Sequence, residues 1–141
     1  MNRTEIAAFF TMRNKAWKNH DAEALSSSHT ENGEIDSPLF GAIKGRNAIR
    51  HAYAEWFSIF PDTEYYSEHL LIDGHKAAEF IKLTGTQQRD FCGYPPTGKR
   101  MQIQGASLCF LKEGKIEREI RTYDFTGVLL QLGVLKAKPA F

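Results

Sequence analysis

Two tight turns in the second half of the chain constrain the fold more than any other feature. Asp73-Gly74 and Glu113-Gly114 each separate two long runs of strand-like sequence. Turns of this length join antiparallel neighbours in a sheet, and Asp-Gly is a frequent hairpin turn sequence. The predicted strands lie at 64–72, 76–86, 99–111 and 115–124. The chain from residue 64 onward is therefore expected to form a meandering antiparallel sheet.

The first half is predicted to be mainly helical. Asn2 and Glu5 have the spacing of a capping box, and an amphipathic helix follows them. Asp21 is expected to cap a short second helix, and 45–60 is the clearest helical stretch. A short strand and a closing helix are predicted around 34–36 and 125–132. Helices followed by strands indicate the α+β class and a single domain over residues 1–141.

Composition narrows the classes of function. A formal net charge of +1 argues against the broad basic surface of a nucleic-acid-binding protein. No apolar run approaches the roughly 18 residues of a membrane span, and no secretory signal pattern opens the chain. We therefore expect a cytoplasmic protein with no membrane partner, in which Cys92 and Cys109 are reduced. The histidines show no HxH or HExxH spacing, so no metal site is expected.

Four segments of the chain carry a resemblance to a known family. They are WKNHDAEAL, IDSPLFGAIKGRNAIRHAYAEWFSIFPD, GTQQRDFCGYPPTGKR and KEGKIEREIRTYDFTGVLLQLG. The most specific pieces within them are Gly85-Thr86, the run 95–98 and the run 131–133. In this order and spacing they resemble the SnoaL-like polyketide cyclase (ester cyclase) family, part of the nuclear-transport-factor-2-like superfamily. The resemblance extends from Trp17 to Gly133.

The resemblance implies both a fold and a type of chemistry. The fold is a cone-shaped α+β barrel, in which a curved antiparallel sheet wraps around the N-terminal helices and leaves an apolar cavity. The implied partners are a small hydrophobic molecule in that cavity and a second copy of the chain packed sheet against sheet. The implied chemistry is general acid–base catalysis without a metal or an organic cofactor.

Asp124 is the candidate catalytic residue, because it matches the family's carboxylate on the last strand. A carboxylate in an aromatic-lined cavity loses solvation, which raises its pKa and suits it to proton transfer beside a carbonyl group. An Asp between a strand and a helix is also a common N-cap that accepts a backbone N–H bond, here from Gly127 or its neighbour. The sequence leaves both roles open.

Arg13 is the second unusual residue, because it falls on the apolar face of the first predicted helix. A guanidinium group there needs an acidic partner, such as Asp124 or Asp36, or a route to water. Asp36 is a candidate for the cavity mouth or a turn-forming residue, and His69 could face the cavity from the first long strand. The aromatic candidates for the cavity wall, which are otherwise core residues, are Trp17, Tyr53, Trp56, Phe57 and Phe60.

The strand that ends at Asp124 also predicts which side chains share a face. Arg121 and Tyr123 are expected to point away from the face of Asp124, where they could enter a dimer interface. The leading functional hypothesis is a cofactor-independent enzyme that transfers protons on a carbonyl-bearing or cyclic organic molecule. The alternatives are a non-catalytic binding protein for a hydrophobic ligand and a protein-interaction adaptor of the same fold.

Overall fold

The computed structural model describes residues 1–138 and confirms the predicted α+β fold. The helices and strands follow each other in nearly the predicted order. They are α1 (Arg3–Lys18), α2 (Ala22–Ser27), β1 (His29–Ser37), β2 (Gly41–Lys44), α3 (Arg46–Ile59), β3 (Glu64–Asp73), β4 (Lys76–Thr86), β5 (Arg100–Lys112), β6 (Lys115–Tyr123) and α4 (Phe125–Gln131). Strand β2 was not predicted and β1 is longer than predicted, because neither strand has a long alternating pattern.

The helix starts form as predicted because local side chains satisfy their free backbone N–H groups. Asn2 and Glu5 complete the capping box of α1, with bonds of 2.9 and 2.8 Å. Asp21 accepts a 2.9 Å bond from the backbone N–H of Ala24 and so caps α2. These contacts orient α1, whose inner face carries the buried Arg13.

The sheet has six strands in the order β2-β1-β6-β5-β4-β3. Both predicted hairpins are confirmed, since Asp73 pairs with Lys76 and Lys112 pairs with Lys115. One pairing differs from the predicted antiparallel sheet: β1 runs parallel to β6. The long connection between these strands, which contains β2, α3 and the β3–β5 meander, allows the parallel pairing. The sheet curves but does not close, because β2 and β3 are its two edges.

Two apolar clusters pack against the inner face of the sheet. The larger one joins α3 to the sheet and includes Trp17, Ile35, Ile49 and Phe60. The smaller one packs α1 against the opposite end of the sheet and includes Phe10. Within residues 1–138, no helix has both the length and the apolar character needed to cross a membrane.

Candidate active site

A cavity lies between helices α1 and α3 and the inner face of the sheet, as the predicted fold requires. Its volume is about 90 Å³, several times the roughly 10–15 Å³ that one water molecule needs. Most of its wall is apolar, including Ile81, Leu83 and Ile103. The ionisable side chains on its wall include Arg13, Tyr53, Tyr65, Glu79, Glu119 and Arg121.

Glu119 lies at the centre of a buried ion cluster on this wall. Its Oε1 is 3.4 Å from Nη2 of Arg13, and its Oε2 accepts a short bond from Nε of Arg121. Nη2 of Arg121 also donates a 2.8 Å bond to the hydroxyl of Tyr53. Burial alone would raise the pKa of Glu119, but Arg121 and Arg13 outweigh it and lower this pKa to about 2. Glu119 therefore remains ionised at neutral pH.

The geometry of β6 explains why these charges meet inside the molecule. Successive side chains on a strand point to opposite faces. Glu119, Arg121 and Tyr123 therefore share the inner face and border the cavity. Arg118, in the alternate position, faces outward and binds the Asp36 carboxylate at 2.8 Å.

His29 lies beside this cluster at the start of β1 and is fully buried. Its Nε2 is 3.9 Å from Oε1 of Glu119, a distance that would make an ion pair only with a protonated ring. Burial and the nearby Arg13 lower the pKa of His29 to about 3, so the ring is neutral at physiological pH. Among the described residues, neither ring nitrogen has a hydrogen-bond partner.

Glu79 is the second buried carboxylate of the cavity, and its surroundings differ from those of Glu119. It lies on β4 with 3% of its surface exposed. Its oxygens accept bonds of 2.5 Å from the hydroxyl of Tyr65 and 2.9 Å from the hydroxyl of Ser67. In the described part of the chain, no cationic side chain lies within 4 Å of this carboxylate. Glu79 is thus held by neutral donors alone.

Tyr65 connects Glu79 to the aromatic wall. Its ring stacks on that of Trp17 with 4.5 Å between centroids. Burial raises the pKa of Tyr65, and the adjacent Glu79 carboxylate raises it further. The Tyr65 hydroxyl therefore stays protonated and serves as a donor to Glu79.

The sequence as a whole matches the family profile described as SnoaL-like polyketide cyclase over residues 7–132. The chain belongs to this family. No curated protein matches the sequence.

Solved structures similar to this SnoaL-like chain confirm its fold. TsrD from Streptomyces laurentii is 21% identical, with 96% of this chain and 99% of that chain covered at a TM-score of 0.85. A hypothetical protein with a ketosteroid isomerase-like protein fold from Catenulispora acidiphila, in complex with trimethylamine, is 17% identical, with coverage of 89% and 92% and a TM-score of 0.77. TerC, co-crystallised with polyporic acid, is 14% identical, with coverage of 92% and 98% and a TM-score of 0.76. At these identities the likeness concerns the fold alone.

Four of the predicted site residues border the cavity of this SnoaL-like domain: Arg13, Trp17, Tyr53 and Trp56. Arg13 is buried and has an acidic partner, which was one of the two expected arrangements for its guanidinium group. That partner is Glu119, not Asp124 or Asp36. Trp56 uses its indole N–H for a 3.1 Å bond to Thr63. A binding role for these four residues remains a prediction.

The other predicted site residues lie away from the cavity wall. Phe60 is fully buried in the core, and Phe57 stacks on His20 with 4.7 Å between ring centroids. Asp36 faces outward in its pair with Arg118. His69 is exposed on β3, just after an irregularity that shifts the strand register between Ser67 and His69.

Asp124 also lies outside the cavity wall. Its Oδ1 accepts a 2.8 Å bond from the backbone N–H of Gly127, so it caps α4, and it is exposed. The cap interpretation is confirmed. The carboxylates that do border the cavity are Glu79 and Glu119, which the sequence analysis did not select.

The strand pattern contained a signal for these missed residues. Glu79 alternates in phase with the buried Ala77 and Leu83, so its side chain belongs to the apolar face of β4. Arg121 and Tyr123, which were expected to point away from the face of Asp124 and to be available to a dimer interface, border the cavity. Among residues 1–138, no three His, Cys, Asp or Glu side chains form a group that could hold a metal ion.

Proposed function

We propose that this chain is a cofactor-independent enzyme that transfers a proton beside a carbonyl group of a small organic molecule, with Glu79 as the general acid–base. The observation that carries the proposal is the environment of Glu79. Its carboxylate borders an apolar cavity, is buried, and is bound by the hydroxyls of Tyr65 and Ser67 without a cation. A carboxylate in such surroundings can both remove a proton and return it.

Glu119 is the less suitable base, although it borders the same cavity. Arg121 and Arg13 hold its pKa near 2, so the carboxylate has little affinity for a proton at neutral pH. General-base catalysis is most effective when the pKa of the base lies near the working pH. In this proposal Glu119 positions the two guanidinium groups.

The reaction sequence needs only groups that border the cavity. The Glu79 carboxylate removes a proton from carbon beside a carbonyl, and the resulting enolate carbon attacks a second carbonyl carbon of the same molecule. A carbon–carbon bond forms, the second C=O π bond breaks, and the new alkoxide takes the proton from Glu79. The apolar wall, including Trp17 and Leu83, would hold the substrate bent for this ring closure.

Bound molecules in similar structures support a small organic ligand. The ketosteroid isomerase-like neighbour was solved with trimethylamine and TerC with polyporic acid. The volume and apolar wall of the present cavity support a ligand of the same general kind.

Hydrogen exchange on a simple ketone tests the proposal without knowledge of the natural substrate. Wild-type protein should accelerate deuterium exchange at the α-carbon of α-tetralone in D₂O, followed by proton NMR. Glu79→Gln should lower this acceleration by roughly 10²- to 10⁴-fold while the protein remains folded. Glu68→Gln is the matched control, since Glu68 is exposed on the neighbouring strand β3. Equal exchange rates for wild type and Glu79→Gln would contradict the proposal.

The alternative is a binding protein that uses the same cavity without turnover. The hydrogen bonds of Glu79 favour this binding role in one respect. Tyr65 and Ser67 each already donate to one oxygen of the Glu79 carboxylate, which leaves fewer positions for a substrate proton. Ligand binding by wild type without any acceleration of exchange on cyclic ketones would support this alternative.

The outer face of the sheet supports the expected homodimer. Strand register aligns Leu71, Ala78, Leu108 and Ile120 in one apolar row across four strands. Leu71 and Leu108 are exposed by 60% and 37% in the single chain. We propose that a second copy covers this row by two-fold symmetry, so that the row packs against itself.

Sedimentation equilibrium tests this dimer. Leu108→Glu should convert it to a monomer, whereas Asn47→Glu, an exposed control on α3 away from the outer face of the sheet, should not. A wild-type protein that is monomeric at all concentrations would contradict the dimer. The apolar row would then be available to a different protein, as the protein-interaction adaptor hypothesis requires.

A further inference from the structure

The described residues place two carboxylates on the cavity wall, and one of them contacts its guanidinium groups. Arg13 and Arg121 both border it, and Glu119 is the carboxylate that contacts them. Glu79, on β4, has no contact with either guanidinium within 4 Å and is instead bound by hydroxyl groups. The buried Arg13 and the partly exposed Arg121 therefore share Glu119 as their neighbouring carboxylate.

The donors of Arg121 are only partly used by the protein. Its Nε donates to Glu119 and its Nη2 donates to Tyr53, while Nη1 has no hydrogen-bond partner in the described part of the chain. A guanidinium group has five N–H donors in a planar arrangement that suits oxyanions. Tyr53 and Glu119 fix the plane of this group, and its ring contact with Tyr53, 5.4 Å to the centroid, fixes it further.

We infer that the cavity takes an apolar molecule that carries an anionic oxygen, a carboxylate or an acidic enol or phenol, and that Arg121 binds this oxygen. An anionic ligand oxygen would accept a charge-assisted hydrogen bond from the unused Nη1 donors of Arg121. Arg13 and Glu119 act as positioning residues for Arg121. The inference deepens the proposed function and rests on it in one respect. The same guanidinium group of Arg121 would bind the enolate oxygen that forms when Glu79 takes a proton from the substrate.

Two nearly isosteric probes test the inference in the full-length protein. Benzoate and benzamide have similar shapes, but only benzoate is charged at pH 7. In NMR titrations, wild type should bind benzoate on the order of 10- to 100-fold more tightly than benzamide, as expected for a charge-assisted bond in a buried site. Equal affinities for the two probes would overturn the inference, whatever any variant does.

Variants of β6 locate the binding site. Arg121→Gln should remove the preference for benzoate and leave benzamide binding nearly unchanged. Arg118→Gln is the matched control, because Arg118 is on the same strand but faces outward and is exposed. A benzoate preference that is lost equally in both variants, or that disappears in about 0.5 M salt, would place the benzoate on the surface and overturn the inference.

Two further measurements keep the result interpretable. If Arg121→Gln does not fold, Arg121→Lys is the replacement variant, because it keeps the charge but not the planar set of donors. The preference for benzoate should then fall severalfold. An unchanged preference would overturn the role of Arg121. Glu79→Gln should bind benzoate at least as tightly as wild type, because it removes the second carboxylate of the cavity. These binding measurements do not depend on turnover. The anion-binding role of Arg121 can therefore be overturned while the proton-transfer role of Glu79 holds, and the role of Glu79 can be overturned while that of Arg121 holds.

Discussion

Arg13 and Glu119 form a buried ion pair that joins the first helix to the last strand, 106 residues apart in the chain. Nη2 of Arg13 lies 3.4 Å from Oε1 of Glu119, and only 7% and 4% of the two side chains are exposed. The pair holds one guanidinium against the cavity wall, and Arg121 places a second beside it. This contact joins α1 to β6 and places charged groups on the wall of the candidate site.

Neutralising Glu119 should strongly destabilise the protein. Glu119→Gln leaves the buried Arg13 and the partly exposed Arg121 without their neighbouring anion, so we expect the free energy of unfolding to fall by about 3–5 kcal/mol in urea denaturation. Asp36→Asn is the matched control, because it breaks the more exposed pair with Arg118 and should cost only about 0–1 kcal/mol. Similar small losses for both variants would show that the buried pair does not stabilise the fold.

His29 should make stability depend on pH in the acid range. The pKa of His29 is about 3 in the folded protein against an ordinary value of 6.5, so below pH 6.5 the unfolded chain binds a proton that the folded protein excludes. Its contribution is therefore fully present above pH 6.5 and is lost as the pH falls towards 3, with a slope of up to about 1.4 kcal/mol per pH unit.

The His29→Gln variant checks this slope. Urea denaturation between pH 7 and pH 4 should show a weaker pH dependence for His29→Gln than for wild type. His51→Gln should behave like wild type, because His51 is exposed on α3. An unchanged slope in His29→Gln would mean that the buried ring is not the group that takes up the proton on unfolding.

Asp124 should act as a helix cap and not in proton transfer. Asp124→Ala removes the acceptor for the N–H of Gly127, so it should lower the free energy of unfolding by about 0.5–2 kcal/mol. Asp21→Ala, which removes the cap of α2, is expected to have an effect of the same size. Deuterium exchange on α-tetralone should be unchanged in Asp124→Asn. A loss of roughly 100-fold or more there, the size expected for a general acid–base, would return the catalytic role to Asp124.

Tyr123 should hold the β1–β2 hairpin at the mouth of the cavity. Its hydroxyl is 2.9 Å from the Ser37 hydroxyl and accepts a 3.2 Å bond from the backbone N–H of Leu39, and the adjacent Phe40 borders the cavity. Tyr123→Phe should therefore speed amide hydrogen exchange at Leu39 with little change in global stability. Tyr94→Phe, in the exposed loop before β5, is the control. No change at Leu39 would show that the hydroxyl does not restrain the hairpin.

Much of the fold was predictable because its elements depend on neighbouring residues. The capping box at Asn2 and Glu5, the cap at Asp21 and the turn at Asp73-Gly74 each involve groups within four residues. β2 was missed because a strand of four residues has too few alternations to show a period. The parallel pairing of β1 with β6 was missed because local sequence carries no information on which distant strand will be adjacent.

The candidate site was only partly predictable. Arg13 was selected correctly as a charge on an apolar face, and its partner Glu119 was not, because the partner lies 106 residues further along the chain. Asp124 received both a catalytic and a capping interpretation. It follows the inward-facing Tyr123, so alternation along β6 gives it no place on the inner face, and it caps α4 instead.

The sequence by itself determined the helices, the hairpins and the sets of side chains that share a strand face, since these depend on caps, turns and the period of two along a strand. Only the tertiary structure decided that the face of Glu119, Arg121 and Tyr123 is the inner one. That choice depends on how the sheet curves around α1 and α3, which involves contacts between residues far apart in the chain. The same curvature encloses the hydrogen-bonded Tyr65 and Glu79 side chains of the β3–β4 hairpin in the cavity wall.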